Sequence, residues 1–93
     1  MDRPRRVGLP WYEPQHYALL RQILSDGAKL PVHYEAWRVS TEQVEQVVQS
    51  SGVDVVRVPI EPDAFTAWCE RTDSAMDSAA RTRYAEEVLV RKV

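Results

Sequence analysis

The chain has 93 residues, 44% of them apolar, a formal charge of −2 and one cysteine, Cys69. That length and apolar content suit a single domain over residues 1–93 with its own core, and one cysteine excludes an intramolecular disulfide. Residues 1–12 carry +2, residues 13–80 carry −6 and residues 81–93 carry +2, so an acidic middle argues against a broad nucleic-acid face.

Residues 1–12 hold Pro4, Gly8 and Pro10 without a sustained period and read as an N-terminal arm, within which Val7 to Trp11 can pair briefly as a strand. Trp11 and Tyr12 are expected to clip onto the core, the usual work of aromatics in a small domain. A first helix is predicted over 14–25, opened by Pro14 and stopped by Asp26-Gly27, with Gly27 able to take a positive φ. Leu20, Ile23 and Leu24 follow its apolar face, and His16 sits at the edge of that stripe without a partner that would make it a base.

A second helix is predicted over 32–51, with Tyr34, Trp37, Val44, Val47 and Val48 at near-helical intervals and Gly52 as its stop. Ser40 with Gln43 resembles a capping box, which leaves a division into two pieces open; one helix kinked near Val39 is the preferred reading. Glu35, Arg38, Glu42 and Glu45 then form a solvated face.

The segment VDVVRVPIEPDAFTAWCER holds the clearest strand, 53–60. Val56, Val58 and Ile60 alternate onto one face, which should meet the core. Pro62 opens a third helix over 62–71 with Glu61 and Asp63 at its positive end, and Phe65, Trp68 and Cys69 share one face. After Thr72-Asp73-Ser74, with Ser74 as the predicted cap, a fourth helix runs over 75–91. Its apolar face carries Met76, Ala79, Ala80, Tyr84 and Val88, while Asp77 with Arg81 and Glu87 with Arg91 form exposed pairs four apart.

The expected fold is therefore α+β and mostly helical, about four helices around one short β-strand that pairs with the N-terminal segment or across a dimer. No phosphate loop, HExxH, GxSxG or EF-hand pattern is present, and no Cys/His cluster has zinc-site spacing. Neither catalytic, cofactor-binding nor metal residues are assigned, and no cofactor is expected. No run approaches the roughly eighteen apolar residues of a membrane helix, and MDRPRRVGLPW lacks the apolar stretch of a signal peptide, so a cytoplasmic location is expected.

LPVHYEAW, read as LPxxYExxW, together with VRVPIEPDAFTAWCE, resembles a group of small uncharacterised bacterial proteins over roughly residues 11–85. The resemblance implies a compact bacterial domain and carries no activity, substrate or site residue.

Three classes of function stay open. The first is a non-enzymatic protein–protein interaction module, a homodimer if the strand needs a second chain. The second is a DNA-binding helix-turn-helix over 62–91, using Arg81 and Arg83 with Arg3, Arg5 and Arg6 as an arm. The third is an enzyme of unrecognised type with Tyr34, Trp37 and Trp68 around a pocket and His33, Glu35 or Cys69 at its rim.

Overall fold

In the computed structural model, which describes residues 5–91, the strand finds its partner within the same chain. β1 (Arg6–Trp11) and β2 (Asp54–Pro59) lie parallel, Arg6 opposite Asp54 and Trp11 opposite Pro59. Between them come α1 (Pro14–Ile23), a 3-10 turn (Gly27–Lys29) and α2 (Tyr34–Ser50); α3 (Pro62–Arg71) and α4 (Ser78–Arg91) follow. The mostly helical α+β expectation holds. Arg3 lies outside the described residues, while Arg5 and Arg6 lead into and open β1.

Parallel strands are stable only when both faces are covered, and alternation divides the work. Gly8 and its partner Val56 face α4, whereas Trp11 and Arg57 face Trp37 and Glu45 of α2. The approach of α4 is close: a Cβ on Gly8 would stand 2.7 Å from the Ala85 carbonyl oxygen. Gly8→Ala is expected to push α4 off the sheet at a cost of about 1–3 kcal/mol, the range for overpacking. A thermal melt checks this, and an unchanged midpoint would mean the helix yields freely.

Both strand prolines fit for one reason. Asp54 donates its N–H to the Arg5 carbonyl and Ile60 to the Trp11 carbonyl, so even positions of β2 and odd positions of β1 face the shared ladder. Pro59 and Pro10 therefore fall on the outer edges, where no ladder bond requires an N–H. Pro59 and the charged Arg57 also blunt the free edge of β2 against strand addition. Pairing within the chain removes the observation that motivated a homodimer.

Helix termini follow the chemistry of their first residues. The Glu61 carboxylate accepts from the Asp63 and Ala64 N–H groups, capping α3 one residue ahead of Pro62. α4 starts at Ser78, later than read from sequence, because Asp77 and not Ser74 caps it: Asp77 Oδ1 accepts from the Ala80 N–H at 2.9 Å. Ser74 instead turns the chain, its N–H donating to the Cys69 carbonyl. α2 is continuous from 34 to 50, so Ser40 caps nothing, and Gly52 ends the turn after it at φ +91°. Gly27 is not at positive φ; its buried position needs a glycine because a Cβ there would overlap the Arg21 carbonyl.

The core gathers Leu20, Leu24, Val58, Ile60, Phe65 and Cys69 with the aromatics Trp11, Tyr12, Tyr17, Trp37 and Trp68. Trp37 touches four other rings, those of Trp11, Tyr12, Tyr17 and Tyr34, at centroid distances of 4.6–5.9 Å. Ile23 is only half-buried, and Tyr17 takes the fuller burial on α1.

α2 corrects the sequence reading of its faces. Val44 and Val47 are 54% and 71% exposed, while Glu45, assigned to the solvated face, is buried. The inward stripe runs through Tyr34, Trp37, Thr41, Glu45 and Val48, and Glu45 is tolerated there because Arg57 donates two hydrogen bonds to it, each 2.7 Å long. That guanidinium also lies 3.8 Å over the Trp11 ring.

Candidate functional site

The residues first considered as a pocket are not brought together. Trp37 is enclosed by the aromatic cluster, and the Tyr34 hydroxyl donates to the Tyr12 carbonyl at 2.9 Å. His33 is exposed just ahead of α2, and Glu35 is held by Arg38. His16 is half-buried on α1. Cys69 is 2% exposed, and burial pushes its thiol pKa up, the opposite of what a nucleophile needs. Thiol reagents at neutral pH are expected to label Cys69 only as fast as the protein unfolds. Immediate reaction of the native protein would contradict this burial. Among the described residues, no group of three His, Cys, Asp or Glu side chains is placed to hold a metal ion.

Arg81 also differs from its sequence assignment. It is 6% exposed and reaches across the fold to Asp26, its two terminal nitrogens bonding the two carboxylate oxygens at 2.7 and 2.8 Å. A guanidinium so placed is closed to phosphate, and the linker between α3 and α4 spans 72–77, longer than the three-residue turn assumed. Arg83 is exposed and lies 5.2 Å from the Trp68 ring centroid.

Trp68 joins a different aromatic group, with Phe65 and Tyr84 at 6.2 and 5.6 Å. Beside it, α3 and α4 leave a cleft of about 270 Å³. Four residues of α3 line it, Ala64, Ala67, Trp68 and Arg71, and four of α4, Tyr84, Glu87, Val88 and Arg91. On each helix the spacing is i, i+3, i+4, i+7, one continuous stripe. The cleft exists because α3 presents two alanines where larger side chains would close the gap. Its volume is near the lower end for small-molecule pockets and accommodates one or two apolar side chains.

Polar groups in the lining are largely committed to one another. Trp68 Nε1 donates to Glu87 Oε2 at 2.8 Å, and Arg91 donates to Glu87 Oε1 at 2.7 Å. This chain fixes the indole and both oxygens of the carboxylate. Arg71, on the last turn of α3, has no carboxylate partner among the described residues. The cleft holds an apolar floor, a satisfied acid and one open guanidinium, with no base beside a nucleophile. Of its residues only Trp68 was named from sequence, as a wall of the pocket in the enzyme reading; the available signal for the rest was the pair of matching helical stripes.

Among the described residues, no helix is long and apolar enough to cross a membrane. No protein-family model, curated protein or solved structure matches the chain.

Proposed function

We propose that the protein is a non-enzymatic protein–protein interaction module that takes an apolar side chain of a partner segment into the cleft between α3 and α4. The observation that supports it is the cleft itself, floored by Trp68, Tyr84 and Val88 and held open by Ala64 and Ala67. Hydrophobic grooves receive amphipathic helices through anchors at helical spacing. The buried Trp68 indole is held in place by its hydrogen bond to Glu87, which lowers the ordering cost of docking against it.

Self-association by strand addition is the weaker form of this reading, given the proline and arginine on the free edge of β2. DNA binding loses one of its two key arginines to the Asp26 pair.

Ala67→Trp tests the proposal, since Ala67 is exposed and the larger ring fills the cleft without entering the core. Selection of short helical peptides against the protein, with Ala67→Trp as counter-target, is expected to yield ligands that lose at least about tenfold in affinity for the variant. The variant itself should melt near the wild type. Ligands that bind both proteins equally would contradict the cleft as the docking site.

A further inference from the structure

The hydrogen-bond inventory of the cleft restricts what kind of segment it takes. Its carboxylate is already engaged, each oxygen of Glu87 accepting one bond, from Trp68 and from Arg91. Its donors are not: Arg71 presents a guanidinium without a carboxylate partner among the described residues. A ligand that brings a carboxylate meets there a planar fork that matches it in shape and charge.

The surroundings limit that carboxylate to one. Asp63 and Glu70 on α3 and Glu86 on α4 are all exposed, and the region over 61–91 holds Glu61, Asp63, Glu70, Asp73, Asp77, Glu86 and Glu87 against four arginines. An extended acidic run would meet this excess of like charge in full, and a single acid next to an apolar residue meets less of it.

We infer that the partner segment is an amphipathic helix carrying one apolar anchor for the floor of Trp68, Tyr84 and Val88 and one Asp or Glu about a turn away that pairs with Arg71. This rests on the cleft being the docking site. Specificity then comes from the acceptor position, because a neutral amide there gives a weaker bond to the guanidinium than a carboxylate does. Rim exposure keeps the pair dependent on ionic strength.

Two capped alanine-based helical peptides separate the outcomes, each with one Leu and, four positions on, either Glu or Gln. The probe signal is the indole N–H resonance of Trp68, whose proton faces Glu87 in the cleft. The Glu peptide is expected to shift that resonance and to bind about tenfold more tightly than the Gln peptide in low salt. The difference should vanish in Arg71→Gln, a substitution at an exposed position that leaves the melting temperature nearly unchanged. Equal affinities for the two peptides, with the Trp68 resonance shifted by both, would overturn the carboxylate requirement and leave the cleft standing. No shift with either peptide would overturn both.

Discussion

Trp37→Ala is expected to cost about 3 to 5 kcal/mol of folding stability, the range for removing a buried large aromatic. Trp37 is 6% exposed and contacts four rings, including Trp11 of β1 at 5.0 Å and Tyr12 at 4.6 Å. Its loss opens a cavity where α2 meets the sheet and α1, and it frees Trp11, whose ring also receives the Arg57 guanidinium. In a domain of this size that is much of the net stability. Urea unfolding followed by circular dichroism measures it; a loss below about 1 kcal/mol would mean the cluster collapses around the gap and does not hold the layers together.

The second large effect belongs to Asp26 and Arg81. Asp26→Ala strands a guanidinium whose side chain is 8% exposed, and a cost of about 3 kcal/mol is expected, at the low end for a broken buried pair because Asp26 keeps 25% of its exposure. Replacing both, with Asp26→Leu and Arg81→Met, should recover most of that loss, since an apolar pair leaves no charge uncompensated. The same pair sets part of the acid response. Hydrogen bonds from Arg81 hold the Asp26 carboxyl below its usual pKa, and those from Arg57 do the same for Glu45. A carboxyl whose folded pKa lies below its unfolded value of about 4 contributes fully above about pH 5 and loses that contribution as the pH falls through the folded pKa. Stability should therefore fall on acidification below about pH 5, and Asp26→Asn should be less stable at neutral pH with a shallower acid slope. A variant with the wild-type slope would assign the acid response to other carboxylates.

Elements with local signals were legible in the sequence. Pro62 after Glu61 announced the start of α3, Gly52 the end of α2, and the Val56, Val58, Ile60 alternation the inward face of β2. The burial of Trp11, Tyr12, Trp37, Phe65, Trp68 and Cys69 followed from the same patterns. Errors arose where a residue is satisfied far along the chain. Arg81 has Asp77 four positions before it, yet Asp77 is occupied as the cap of α4 and Arg81 bonds Asp26, 55 residues away. Glu45 looked solvated because its partner Arg57 lies on a strand, and β2 has both faces covered. A lone arginine inside a valine-rich strand was the sign that an acid must reach it. The cleft was illegible for the same reason, since Ala64 and Ala67 gain meaning only opposite Tyr84 and Val88, and Trp68 finds its acceptor 19 residues on, at Glu87.

The exposed flank of α2 offers the contrasting surface. Val39, Val44 and Val47 are 48%, 54% and 71% exposed, but they stand on a convex helix with Val39 turned away from Val44. The α3/α4 cleft is concave, lined by fixed side chains and carries the open donor. Isotope-filtered nuclear Overhauser spectroscopy on a complex with the Leu- and Glu-bearing helical peptide distinguishes the surfaces directly. Contacts from the peptide leucine methyls to the Tyr84 ring and to the Ala64 and Ala67 methyls are the predicted result; contacts to Val44 and Val47 with none to Tyr84 would contradict the assignment of the cleft as the binding site.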